Sequence, residues 1–308
     1  MSTNVPVVDA RDVTTRLATR MSRAVRSTPR VRVFASTRER VRRRRSTRPS
    51  ASYEKTWSNP SGSVIDVIDE RSDTGAYACA RPFVWNDIDV GGRMGVVKMH
   101  DGSLWIHSPI DLDAMTKRAV DALGPVKFIV SPNYEHVKYA KKWKDAYPEA
   151  TLYGCPGLKA KTSGVIPYDV DLGDVPGACP PEWRGEFQCE HFDSERTPIL
   201  GGAFFNEVVF HHVPTETLFI TDLVWTYPER RVDGVDVPLG TRAWKALMDE
   251  LYLPVYLNLM VRDRARFAAS VRRLTHDWSW TTFVPCHGTV ERGARARQII
   301  RDHLSRSL

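Results

Sequence analysis

The chain has 308 residues, 42% of them hydrophobic and nine of them Trp, enough to bury a substantial core. Its formal charge of +7 is unevenly placed: residues 1–50 hold fourteen Arg, no Lys and only Asp9, Asp12 and Glu39, a balance of +11, so residues 51–308 carry −4. This argues against a basic body that tracks nucleic acid, and no apolar run approaches the roughly 20 residues a membrane-spanning helix needs.

Residues 1–50 are rich in Arg, Ser and Thr and poor in acids, the composition of an organelle transit peptide. Val13, Leu17, Met21 and Val25 recur every four residues among Arg16, Arg20, Arg23 and Arg26, an amphipathic basic helix of the mitochondrial kind. Val33, Phe34 and Ala35 before Ser36, with the Ser/Thr/Arg/Pro mixture through Ser50, instead suit plastid processing. A plastid location is expected, with the mitochondrion as alternative and the import machinery as this segment's partner. A basic tail that binds RNA or a membrane surface is the plainer reading of the same charges. The folded domain is expected over residues 51–308.

Cys79, Cys155, Cys179, Cys189 and Cys286 are scattered and contain no C-x-x-C pair, so they form neither a disulfide framework nor a zinc ribbon. A reducing compartment and buried thiols are expected. Cys286 is the exception, because it adjoins His287.

In chain order, residues 53–90 read as an irregular aromatic wrap over the core. Residues 95–100 and 103–107 read as two strands joined by a tight turn at Asp101 and Gly102. A helix is expected over 111–123, stopped by Gly124 and Pro125, then a buried strand over 126–130 that runs into the Ser131 turn. A second helix is expected from Tyr134 to Tyr147, closed by Pro148, and a strand over 151–154. Residues 155–183, rich in Gly and Pro, read as a long loop bordering a site. Strands follow over 186–190, 207–212 and 217–221, then helices near 242–251 and 262–275. A strand over 281–285 delivers Cys286, His287 and Gly288, and a helix through Ile300 closes the chain. The β-α-β-α order predicts sheets covered by helices.

Three strand ends present polar residues in turn: Glu135 and His136, then Asp222, then His287. Catalytic metals are commonly held this way, by loops on one rim of a sheet. Two imidazoles and two carboxylates suit one divalent ion, Zn, Fe or Mn, whose bound water would become a hydroxide near neutral pH. None of these positions requires a metal, however. Asn133 after Pro132 is a good helix cap, Glu135 favours a helix dipole, and Asp222 can cap the next element. His211 and His212 are neighbours on a strand, must face opposite ways, and read as structural.

The run from Gly124 to His136, the pattern Trp143, Lys144, Tyr147, Pro148 and Ala150, the segments from Asn206 to Phe210 and from Thr217 to Leu223, and Pro285 to Gly288 together resemble an uncharacterised family of metallo-β-lactamase-like domains known from plants, algae, bacteria and fungi. The resemblance covers roughly residues 83–305. It implies an α/β fold, a four-layer αββα sandwich. It also implies how the superfamily's His-x-His-x-Asp-His turn falls on Ser131, Asn133, Glu135 and His136. The first metal's ligands would fall on Ser131, Asn133 and Ala203, a hydroxyl, an amide and a methyl, so that site is lost. The second metal's would fall on Glu135, His136, Asp222 and His287, which remain chemically competent. The superfamily's Asp-x-Gly is also missing, with Ile106, His107, Ser108 and Pro109 in its place.

Two readings follow. In one, the protein is a mononuclear metal-dependent hydrolase of an ester, thioester or amide, with Asn133 or Ser131 orienting substrate or stabilising the oxyanion. In the other it is a pseudo-enzyme that binds a small molecule or a protein partner. Phosphodiesterase or nuclease action fits less well, because those members use two metals and the acidic domain repels a polyanion. An iron-dependent redox role also remains open to this ligand set.

Overall fold

The chain divides into two units between Pro49 and Ser50. In this computed structural model, residues 52–183 and 185–305 are described. The expectations for residues 1–50 lie outside them.

Two sheets form the framework. The first has seven strands in chain order: β1 (Asp66–Glu70), β2 (Gly75–Arg81), β3 (Gly92–Lys98), β4 (Leu104–His107), β5 (Val126–Ser131), β6 (Thr151–Gly154) and β7 (Val170–Asp171). The β1 to β4 pairings are antiparallel and those from β4 to β7 parallel. The second has five: β8 (Phe187–Phe192), β9 (Glu207–His212), β10 (Thr217–Ile220), β11 (Thr282–Pro285) and β12 (Glu291–Arg292), with β10 and β11 parallel.

Helices α1 (Ala114–Leu123) and α2 (Ala140–Ala146) contribute Val120, Ala140 and Trp143 to the core of the first sheet. A short α3 (Leu158–Lys161) follows β6. Helices α4 (Leu239–Leu247), α5 (Arg264–Arg272) and α6 (Gly293–Leu304) lie on the second sheet's side, where Phe267, Val271, Ile300 and Leu304 pack with Val209, Leu218, Ile220 and Phe283. The result is the expected helix–sheet–sheet–helix sandwich.

Strand alternation builds the layer between the sheets. On β9, Val208 and Phe210 join the first core while Val209 joins the second, and on β10 Phe219 faces in while Leu218 and Ile220 face the helices. Trp105 sits at the centre, its ring 4.5 Å from that of Phe187 and 5.2 Å from that of Phe210. Gly95 is required here: a Cβ on it would lie 2.6 Å from the Phe219 ring. The same parity separates the two neighbouring histidines. His212 lies beside Phe187, and His211 lies against Trp278 on the helix side.

Several boundaries differ from expectation. Residues 53–90 are not merely a wrap, because they supply β1 and β2. The segment Ala76, Tyr77, Ala78, Cys79 and Ala80 is almost wholly buried but lacks the β-branched residues that mark a strand in sequence. The helix expected from Tyr134 begins only at Ala140, because the Asn133 side chain turns the chain tightly first. Residues 155–183 carry α3, β7 and short 3-10 turns rather than an open loop. Helix α4 does not stop near Leu251. It continues to Met260 through π turns at Met248–Tyr252 and Tyr256–Met260, flanking Pro254, which has no N–H to give to a helical bond. No described helix is long and apolar enough to cross a membrane.

Candidate functional site

The site is assembled where β4, β5, β10 and β11 end on one rim. After β5, the Asn133 Oδ1 accepts hydrogen bonds from the amides of Glu135 (3.0 Å) and His136 (2.9 Å), which folds His136 back over the strand end. The turn is tied to the second sheet by Val208 N to Pro132 O and by Tyr134 N to Phe205 O, each 2.9 Å.

After β10, the buried carboxylate of Glu207 receives the amides of Thr221 (2.6 Å), Asp222 (2.8 Å) and Leu223 (3.0 Å) and so fixes the Asp222 turn. After β11, the buried Arg93 guanidinium donates to the carbonyls of Pro285 (2.8 Å) and Gly288 (2.7 Å), one on each side of Cys286 and His287. Gly288 has φ +110°, and a Cβ there would collide with the Thr226 backbone, so the closing turn needs glycine.

These turns bring three of the expected ligands together. His136 Nε2 lies 3.1 Å from Asp222 Oδ2 and His287 Nε2 lies 3.4 Å from Asp222 Oδ1. Each ring is anchored through its other nitrogen. Nδ1 of His287 donates to the Gly91 carbonyl at 2.7 Å, and Nδ1 of His136 is 2.6 Å from Ser108 Oγ. Asn133 Nδ2 donates to Asp222 Oδ2 (2.7 Å), Thr221 Oγ1 (2.9 Å) and Glu207 Oε2 (3.3 Å), placing a neutral donor between the buried Glu207 and the half-buried Asp222.

Glu135 does not join them. It is exposed, and it is Cys286 that offers a donor atom within 4.8 Å of those of His136 and His287. Cys286 Sγ is on the Nδ1 edge of His136, 3.5 Å away and 3.6 Å from Ser108 Oγ. The two ring nitrogens point apart, so an ion on the Nε2 edge shares His136 with Asp222, and an ion on the Nδ1 edge shares it with Cys286.

Ser131 is also turned away. It is fully buried, and its hydroxyl receives the Tyr168 hydroxyl at 2.9 Å. Ala203 is half-buried in the loop before β9. Sequence reasoning noticed Ser108 as a departure from pattern and Cys286 as the neighbour of His287, and it read Glu207 as part of a strand and of the family resemblance, but gave none of them a place in the site. Their partners come from distant strand ends, which spacing along the chain does not reveal.

Charge balances across the cluster. Burial would raise the Asp222 carboxyl, but the imidazoles of His136 and His287 hold it well below the usual range. Burial would lower both imidazoles, but the Cys286 and Asp222 charges raise both of them, His136 strongly. Burial opposes ionisation of the Cys286 thiol, yet the two imidazoles bring it down to about 6. Burial and the nearby Asp222 push Glu207 up to about 7 despite its backbone donors.

The donor set fits a divalent ion. A neutral His287 that donates from Nδ1 has its Nε2 lone pair facing a carboxylate oxygen, an arrangement resolved by a proton or by a cation between them. Two imidazoles and a carboxylate supply three donors, with the Cys286 thiol near.

The two packed sheets with helices outside them are the metallo-β-lactamase fold. Solved structures agree. TMB-1 is similar with 12% identity and a TM-score of 0.50, covering 79% of this chain and 96% of that one. A metallo-β-lactamase from Erythrobacter litoralis and VMB-1 each give 10% identity and a TM-score of 0.50, with the same coverage. No curated protein sequence matches the chain. Residues 84–248 match the family model described as Domain of unknown function (DUF4336), and the chain belongs to that family.

Proposed function

We propose that this protein is a mononuclear metal-dependent hydrolase of an ester, thioester or amide, with the ion held by His136, Asp222 and His287. One observation carries the reading. Both imidazoles are anchored at Nδ1, and both direct Nε2 to the two oxygens of one half-buried carboxylate. Zn, Fe or Mn suits such donors, and when bound the ion supplies a hydroxide from its water near neutral pH.

The chain's own groups prepare the site. Ser108 and the Gly91 carbonyl fix the ring orientations, and Asn133 fixes the carboxylate. Glu135 and Ser131 have no part in holding the ion in this reading, and Asn133 acts through Asp222 rather than on substrate.

The test is hydrolysis of a panel of p-nitrophenyl esters, acyl thioesters and anilides. The expected result is activity that a chelator removes and one added equivalent of Zn, Fe or Mn restores. Activity indifferent to chelation, with no metal taken up, would sink the reading.

A second reading is favoured by the Asn133 bridge. A neutral donor 2.7 Å from Asp222 supports that carboxylate without a cation, as a metal-free pseudo-enzyme that binds a small molecule or a protein partner would require. For residues 1–50 we propose a plastid transit peptide, with a mitochondrial one as alternative, on the composition alone. Import of a fluorescent fusion into isolated plastids, and not into mitochondria, is the expected outcome.

A further inference from the structure

We propose that the outward face of the helix running from Leu239 to Met260 is a dimer interface, on which a second copy of this chain packs antiparallel about a two-fold axis at Leu247. The inference uses no residue of the rim and stands apart from the metal reading. Along one row of this helix every fourth residue is apolar: Leu239, Ala243, Leu247, Leu251, Val255 and Leu259. A second row, Trp244, Met248, Tyr252, Tyr256 and Met260, lies one residue further on and packs into the core of the second sheet. That row is anchored where the Trp244 and Trp85 rings meet at 5.2 Å and where Thr241 Oγ1 donates to Asp89 O at 2.8 Å. The first row has no such cover: Leu239 is 76% exposed, Leu251 55%, Val255 36% and Leu259 53%.

The π turns make this row a face. In an α-helix a step of four residues overshoots a full turn by about 40°, so five such steps would carry the row about 200° around the axis and into the core. The i→i+5 bonds of the π turns at Met248–Tyr252 and Tyr256–Met260 place more than four residues in a turn and take back part of that drift. Leu251, Val255 and Leu259 therefore stay at the surface, and the row extends for about 30 Å. Single exposed apolar residues are ordinary, whereas a continuous line of them marks an interaction surface.

Charge selects a second copy as the occupant. Arg242 and Glu250 are both exposed and flank the row, one residue before Ala243 and one before Leu251. Among the described residues neither side chain has an ionic partner. In an antiparallel pair like flanks face each other, so a two-fold axis at Leu247 brings Arg242 of each chain against Glu250 of the other, twice. The same axis places Ala243 against Leu251, a small residue against a large one, and Leu239 against Val255. A parallel pair would instead oppose Arg242 to Arg242 and Glu250 to Glu250.

The test is sedimentation velocity of the full chain over about 1 to 100 µM, the range in which a modest interface shows its equilibrium. The expected result is a species of twice the chain mass that gains population with concentration. Leu251→Glu should raise the dimer dissociation constant by at least about 100-fold, because it buries a carboxylate against Ala243 on both sides of the axis. Arg242→Glu should raise it by about 10-fold, and Arg242→Glu with Glu250→Arg should return it to within about 2-fold of the wild type. All three positions are exposed, so the urea midpoint of the monomer should not change. A wild-type chain that stays monomeric throughout, a dimer indifferent to Leu251→Glu, or a charge swap as weak as the single variant would overturn the proposal. Failure of the metal reading would appear separately, as absence of metal uptake.

Discussion

At the rim His136, Asp222 and His287 meet as charged groups, whereas Ser131 and Asn133, on which the family resemblance would place ligands of the first metal, are neutral. The charged half keeps a half-buried carboxylate between two imidazoles. The neutral half is closed with neutral hydrogen bonds, Ser131 to Tyr168 and Asn133 to Thr221 and the two acids. Buried charge is tolerated only where it is paired, so a site that loses its cation must replace it with donors or lose its acids. Asn133 is the residue through which the neutral half supports the charged one.

Breaking the charged half should give the largest effect. His287→Ala is expected to weaken binding of one Zn equivalent by at least about 1000-fold, about 4 kcal/mol, in a competition titration with a chromophoric chelator. The neutral half should register in stability instead. Asn133→Leu leaves Asp222 and Glu207 without their shared donor and is expected to cost about 3 kcal/mol in urea unfolding.

Acid sharpens the contrast between site and core imidazoles. Burial holds His107 down at about 3, with the His136 charge adding to it, and holds His211 down at about 4, helped by the nearby His212 and Arg297. Their folded values lie below the unfolded value near 6.5, so the stability they contribute is present above that pH and is lost as pH falls towards 3 to 4. Between pH 7 and pH 5 the loss is about 2 kcal/mol for each. His107→Phe should flatten that part of the profile. The site imidazoles, raised by the Cys286 and Asp222 charges, respond in the opposite direction and lose stability as pH rises.

Two smaller effects locate the boundary between the halves. Ser131→Ala should cost about 1 kcal/mol, from the lost Tyr168 bond, with unchanged metal affinity. Glu135→Gln should change that affinity by less than about 2-fold, because its carboxylate lies outside the cluster. A loss as large as that of His287→Ala would place Glu135 among the ligands.

Much of this was legible in sequence. The strand ends that carry His136, Asp222 and His287 follow from runs of apolar residues that stop at polar ones, and the layered α/β fold follows from their alternation with helices. Glu135 misled, because a carboxylate beside a histidine has the right chemistry even where the turn points it outward. Ser108, Glu207 and Cys286 were missed as members of the site because each is defined by contacts with residues far away along the chain. Strand β2 was missed because its alanines and glycine carry little strand signal, and β1 because three of its five residues, Asp66, Asp69 and Glu70, are acids.

We propose that this rim holds one ion, on the side of His136, Asp222 and His287. The most direct measurement is elemental mass spectrometry of the full chain, purified without chelators or a His-containing tag and dialysed against limiting Zn. One equivalent per chain, lost in His136→Ala and in Asp222→Ala but kept in Glu135→Gln, is the predicted result. A folded protein that takes up no metal, or one that retains two equivalents, would contradict it.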